Sequence, residues 1–164
     1  MPRKVAVIMG SDSDLDAMRP CINRLKAFGI PTQVRIISAH RTPAAAERFA
    51  ANALEEGFGV IIAAAGKAAH LAGVLAAYTT LPVIGVPMKT SLMGGMDSLL
   101  SMVQMPKGIP VACMAVDGAD NAAILAAQML ALSDDALMDK LAQFKAGMAA
   151  EVMEKDQNIQ LEEF

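Results

Sequence analysis

Five short apolar runs, each followed by a longer stretch with helical spacing, set the pattern of this chain. Residues 5–9, 33–37, 60–64, 82–86 and 110–115 are rich in Val, Ile, Ala and Met and hold few charges. Runs of this kind read as strands buried on both faces, the signature of a parallel sheet rather than of a half-exposed antiparallel one. Between and after them lie residues 14–28, 43–56, 68–78, 97–104, 121–132 and 134–153. In the first of these stretches Leu15, Met18, Ile22, Leu25 and Phe28 recur at helical intervals and Gly29 follows as a C-terminal stop. Pro43 stands at the favoured first position of the second.

Strands alternating with helices predict an α/β fold. The sheet is parallel, five-stranded and covered on both faces, with right-handed crossovers. The expected result is a flavodoxin-like, three-layer αβα sandwich with strand order 2-1-3-4-5 and a long C-terminal helix. One domain over residues 1–155, with the last helix serving oligomerisation, and a frayed acidic tail over 156–164 account for all 164 residues.

With 54% hydrophobic and 19% charged residues the chain has ample material for a core. A net charge of −3 and the lack of a basic stripe exclude a nucleic-acid footprint. The longest purely apolar run, residues 60–65, is too short to span a bilayer, and residues 5–9 are too short for a signal-peptide core. Cys21 and Cys113, far apart and outside any CxxC pattern, read as ordinary buried thiols of a cytoplasmic protein.

In such sheets ligands bind beyond the carboxyl ends of the strands, so the loops after strands 1 to 4 are where chemistry is expected. After strand 1 stands Gly10-Ser11-Asp12-Ser13-Asp14. It offers hydroxyls and backbone N–H groups at a helix start, an anion site, or simply a cap formed by Asp12 or Ser13. Its two acids, Asp12 and Asp14, suit ribose hydroxyls or a ring amine. After strand 2 comes Ser38-Ala39-His40-Arg41-Thr42-Pro43, where Arg41 and Ser38 can grip a phosphate and His40 can move a proton near neutral pH. After strand 3, residues Gly66, Lys67, Ala68, His70 and Leu71 form a third loop; it lacks the GxxxxGK[ST] frame of a phosphate loop. His70 reads as lying within a helix turn beside Leu71, where packing and hydrogen bonding explain it. Two histidines without a third ligand make a poor metal site. The Gly- and Met-rich loop after strand 4, residues 88–97, reads as a flexible lid.

These loops, together with the run Asp97-Ser98-Leu99-Leu100-Ser101-Met102-Val103-Gln104-Met105-Pro106-Lys107-Gly108-Ile109-Pro110, closely resemble the PurE family of N5-carboxyaminoimidazole ribonucleotide mutases. The resemblance spans roughly residues 4 to 153 and favours the mutase branch. It implies transfer of a carboxyl group from the exocyclic N5 to ring carbon C4 of a small-molecule ribonucleotide in purine biosynthesis, without metal, biotin, ATP or other cofactor. It also implies homo-octamers with sites at subunit junctions. By motif position Ser11, Ser38 and Arg41 resemble phosphate contacts, Asp14 a ribose contact and Asp12 the acid near the aminoimidazole. His40 resembles the catalytic histidine, and the loop of Gly66, Lys67, Ala68, His70 and Leu71 the wall near the migrating carboxylate. Two positions depart from the family: Lys67 replaces a common second glycine, and Ala72 interrupts the usual His-Leu-Pro-Gly.

Three other readings compete. One is a carboxylase using free CO2 and aminoimidazole ribonucleotide. Another is a flavin or receiver module, disfavoured by a third strand that ends in alanines and by a chain with no Trp and one Tyr. The last is a non-catalytic nucleotide-binding module. On the final helix, Leu137, Leu141, Phe144, Met148 and Val152 form an apolar stripe, expected to pack on a neighbouring subunit in a closed oligomer, an octamer.

Overall fold

The computed structural model describes residues 3–161. Its strands are β1 (Lys4–Met9), β2 (Thr32–Ile36), β3 (Phe58–Ala65), β4 (Val83–Pro87) and β5 (Ala112–Cys113). Its α-helices are α1 (Leu15–Ala27), α2 (Pro43–Asn52), α3 (Leu71–Ala77), α4 (Met96–Val103), α5 (Ala119–Ala131) and α6 (Asp135–Gln160). All strand pairs are parallel and the order is β2-β1-β3-β4-β5, as the alternation of runs predicts.

Period-two alternation divides each central strand between two cores. Val5, Val7 and Met9 of β1 and Val60, Ile62 and Ala64 of β3 face one layer, where α1, α5 and the start of α6 supply Met18, Leu25, Ala123, Ala127 and Leu137. Ala6 and Ile8, with Ile61 and Ala63, face the other, against Phe49 of α2, Leu75 of α3 and Met102 of α4. The alanines of α5 let it lie close to the sheet: Ala122, Ala123, Ala126 and Ala127 are fully buried.

The structure departs from the sequence expectation at four places. The edge strand β2 is not buried on both faces; Val34 and Ile36 are exposed, Ile36 by 56%. At the other edge β5 shrinks from six residues to two; Pro110, which has no N–H to give to a ladder, lies outside it. The C-terminal helix does not fray at residue 155 but runs to Gln160, started by Asp134, whose carboxylate accepts from the Leu137 N–H at 3.0 Å. Of the acidic tail, residues 162–164 lie outside the described residues. Finally, the apolar stripe of α6 divides. Leu137 and Leu141 are buried in the chain's own core with Phe144 packed beside them, while Met148 and Val152 are exposed. The first half of the stripe therefore completes this domain and only the second half is left for a partner. Cys21 is buried, and burial pushes its thiol up to about 12; Cys113 is only partly covered.

Gly85 shows how closely the layers approach at β4. A Cβ there would stand 2.9 Å from Met102 Sδ, 3.1 Å from Val111 Cγ1 and 3.4 Å from Ala72 Cβ. We expect Gly85→Ala to cost about 1–3 kcal/mol by overpacking. Urea unfolding checks it, and an unchanged midpoint would contradict the tight fit.

Candidate active site

The loops that follow β1, β2, β3 and β4 surround a cleft of about 480 Å³. The β1 loop contributes Gly10, Ser11, Ser13 and Asp14, and the β2 loop Ser38, Ala39, His40 and Arg41. The β3 loop adds Ala65 to Ala68 and Leu71, and the β4 loop adds Met88, Lys89 and Thr90. Of the residues singled out from sequence, Ser11, Asp14, Ser38, His40, Arg41, Gly66, Lys67, Ala68 and Leu71 thus line one cavity.

The first loop is capped by Ser11, not by Asp12 or Ser13. Ser11 sits in extended backbone and its Oγ accepts from the Ser13 N–H at 3.3 Å, starting a short 3-10 turn over Asp12–Asp14. Asp12 is exposed and accepts from the Ser11 hydroxyl at 3.2 Å. Neither it nor His70 is among the cleft's lining residues. Asp14 does line it. Burial raises its carboxyl above the ordinary range against the pull of the Ser13 and Ser11 hydrogen bonds, and the charges of Asp117 and Asp12 add to the rise.

The second loop is locked by reciprocal bonds. Thr42 Oγ1 accepts from the Ser38 N–H and donates to the Ser38 carbonyl, both at 3.0 Å. The Ser38 Oγ accepts from the Arg41 N–H at 3.1 Å, which leaves its own hydrogen free for a ligand. Arg41 itself is exposed, and its guanidinium has no carboxylate within ion-pair distance. Among the described residues ion pairs join only Arg19 to Asp16 and Arg24 to Asp120.

The third loop differs most from expectation. Lys67 has φ +58°, the left-handed region, so the chain turns sharply there. Ala69 and His70 then make tight bonds to Lys67 and Ala68 carbonyls, at 2.8 and 2.9 Å, instead of helical ones. As a result α3 begins at Leu71, not Ala68, and His70 is its exposed N-cap residue rather than a packed helical one. Its ring reaches across to the second loop. His40 Nε2 and His70 Nδ1 are 3.1 Å apart, the rings edge-on at 74°. One nitrogen must donate and the other accept, so the pair shares a proton between two loops 30 residues apart. A side chain in this left-handed turn, which glycine would adopt without strain, costs about 1–2 kcal/mol. Ala72 lies in the first turn of α3, where proline and alanine serve equally.

Sequence reasoning assigned no role to the residues that brace this wall. Ser98 is the one buried polar side chain among the described residues, and its Oγ accepts from the Lys67 N–H at 2.9 Å. Ser101 Oγ lies 3.2 Å from the Lys67 carbonyl. In the β4 loop, Asp117 accepts from the Lys89 N–H at 2.9 Å and Asp97 accepts from the Thr90 hydroxyl at 2.6 Å. That hydroxyl holds the Asp97 carboxyl below its usual range, aided by Lys67. The loop expected to be a flexible lid is thus pinned at both ends. Its place after strand 4, on the same sheet edge, was the signal available for Lys89 and Thr90. No group of three or more His, Cys, Asp or Glu among the described residues is placed to hold a metal ion.

The raised carboxyl of Asp14 has a consequence for stability. Below the ordinary Asp value of about 3.9 it is protonated in both states and contributes nothing. As pH rises from there, the unfolded chain releases its proton first and the fold loses stability, fully so above the raised folded value. We expect Asp14→Asn to raise Tm at pH 7 and to have no effect near pH 3. A lower Tm for the variant at pH 7 would contradict the burial cost.

Comparison with known proteins identifies the family. Residues 4–151 match the family described as AIR carboxylase. An N5-carboxyaminoimidazole ribonucleotide mutase of Thermotoga maritima is 51% identical, over 98% of this chain and 93% of its own length. A chloroplastic phosphoribosylaminoimidazole carboxylase of Vigna aconitifolia is 47% identical over 93% of this chain, which spans 28% of that longer protein. The crystal structure of Treponema denticola PurE superposes with a TM-score of 0.86 at 28% identity, covering 98% of this chain and 99% of that one. The match over nearly the whole chain and identities near one half show that the chain belongs to the AIR carboxylase family.

Proposed function

We propose that this protein is an N5-carboxyaminoimidazole ribonucleotide mutase, moving the carboxyl group from N5 to C4 to give 4-carboxy-5-aminoimidazole ribonucleotide. The observation that carries the reading is the His40–His70 pair. It lies on loops that also present Ser38 and the unpaired Arg41 to the same cleft. The mutase relative matches this chain nearly end to end, whereas the carboxylase relative is a much longer protein; this favours the mutase over a CO2-using carboxylase.

In the proposed reaction Arg41 and Ser38, with Ser11, hold the 5′-phosphate by charge-assisted hydrogen bonds, and Asp14 accepts from the ribose. His40, protonated, gives its proton to N5 as the N5–carboxyl bond breaks. CO2 and the neutral aminoimidazole are held side by side, so recombination is a positioned step rather than an encounter in solution. Electrons from C4 form the new C–C bond, and C4 then carries both a hydrogen and the carboxylate. His40, now neutral, removes that hydrogen as a proton and the ring regains aromaticity. No net proton is consumed. With Nε2 engaged by His70, Nδ1 is the nitrogen of His40 left to meet the substrate in this arrangement.

The same reading makes the protein a homo-oligomer, an octamer by family resemblance. Exposed Met148, Val152 and Met153 on α6, and Val34 and Ile36 on the edge strand β2, are apolar surface that a partner copy would cover. Light scattering showing only a 17.2 kDa species would overturn this. We place the activity in the cytoplasm, in keeping with two free cysteines.

Incubation with N5-carboxyaminoimidazole ribonucleotide, without added bicarbonate, tests the function; absence of the C4-carboxylated product would refute it. We expect His40→Asn to lower turnover at least about 10³-fold, with product still bound within about tenfold of the parent protein (about 1.4 kcal/mol). Retention of a tenth of the turnover would move the proton shuttle elsewhere. Arg41→Ala should weaken nucleotide binding by about 2–4 kcal/mol, read by calorimetry; unchanged affinity would remove it from the phosphate site.

A further inference from the structure

Three cations line the cleft, Arg41, Lys67 and Lys89, and Asp14 is the one carboxylate that does so. None of the three makes an ion pair among the described residues. Arg41 follows β2, whereas Lys67 and Lys89 follow β3 and β4, which are adjacent in the sheet. At about 4.8 Å per interstrand step, the two lysine-bearing loops stand about 10–14 Å from the Arg41 loop across the cleft. The cleft therefore has two cationic ends, with the His40–His70 pair linking the loops between them.

Both lysines are fixed at the backbone by side chains from elsewhere in the fold. The buried Ser98 hydroxyl accepts the Lys67 N–H, and Asp117 accepts the Lys89 N–H. Lys67 also keeps a left-handed backbone that glycine adopts without strain. These bonds fix the two loops that carry the lysines at the rim of the cleft.

A phosphorylated nucleotide brings about −1.5 to −2 charges at its phosphate, which Arg41 and the Ser38 loop answer. One more anionic group distinguishes the N-carboxylated nucleotide from its uncarboxylated parent: the carboxylate, at the far end of the molecule from the phosphate. We propose that Lys67 and Lys89 form a second anion station that recognises this carboxylate and makes the cleft selective for the carboxylated nucleotide. The inference rests on the mutase reading and assigns the specificity of that same site. The lysines bind the carboxylate in substrate and product alike, while the CO2 released between them is neutral. They hold the carboxylated ground state rather than the neutral CO2 stage, so their loss raises KM without lowering kcat.

The test uses the full chain at low ionic strength. Calorimetry measures the affinities of 4-carboxy-5-aminoimidazole ribonucleotide and of 5-aminoimidazole ribonucleotide. The variants are Lys67→Asn, which tolerates the left-handed turn without the charge, Lys89→Gln, the double variant and Lys67→Arg. The parent protein should prefer the carboxylated ligand, and each neutral variant should lose about three- to tenfold of that preference. The double variant should lose nearly all of it, with affinity for the uncarboxylated nucleotide changed less than about threefold. Lys67→Arg should keep it. In turnover, KM for the N-carboxylated substrate should rise while kcat does not fall. A double variant that keeps the parent preference, or that loses affinity equally for both nucleotides, overturns the proposal while leaving the mutase reading in place. A parent protein that neither binds these nucleotides nor converts the substrate overturns that reading, and the proposal with it.

Discussion

A parallel sheet cannot be closed by tight turns, and this one requirement organises the molecule. Every strand must be followed by a crossover long enough to return to the other end of the sheet, which is why each apolar run is succeeded by a helix. All the loops that leave the strands therefore emerge on one edge. Because β1 lies between β2 and β3, the first two crossovers, through α1 and α2, pass over opposite faces, and the loops after β1 and β3 part to leave a crevice. The residues able to hold an anion or move a proton stand in that crevice because the topology delivers them there. The two layers beneath it, packed on Val5, Val7, Ile8 and Ile62, are its rigid floor.

Much of this was legible in the chain itself, for physical reasons. The central strands declare themselves because their buried faces demand uninterrupted apolar residues, as in β3, where Val60 to Ala64 are all buried. The edges were less legible. β2 has Gln33 and Arg35 between exposed Val34 and Ile36, a mixture that says strand but not which faces are covered. The α3 start was misplaced because Ala68 and Ala69 have high helix propensity, and the left-handed turn at Lys67 that overrides it has no compositional signal. For the same reason the sequence shows His70 beside Leu71 but not beside His40. Their contact depends on two loops meeting above neighbouring crossovers, which only the tertiary structure brings about. Asp12 stands in the same polar cluster as Ser11 and Asp14, but one turn of 3-10 helix leaves it exposed and outside the residues that line the cleft.

The cleft also holds features that the fold alone would not select. Asp14 is partly desolvated near two other acids, Lys67 occupies a conformation suited to glycine, and three cations line the cleft with a single carboxylate. The first two cost stability; in the proposed complex an anionic nucleotide would offset part of that cost, giving the cations a counter-charge and Asp14 hydrogen-bond donors. Such opposition between stability and local arrangement is what a binding site preorganised for charge entails.

The central claim is that one carboxyl group moves within one bound nucleotide. It is tested most directly by turning over N5-carboxyaminoimidazole ribonucleotide labelled with 13C in that carboxyl, in a buffer of excess unlabelled bicarbonate, and following the product by 13C NMR at early conversion. The label should be retained at the C4 carboxylate, since in the proposed reaction CO2 is released and recaptured inside the cleft. A product whose carboxylate is unlabelled, drawn from the bicarbonate pool, would contradict it.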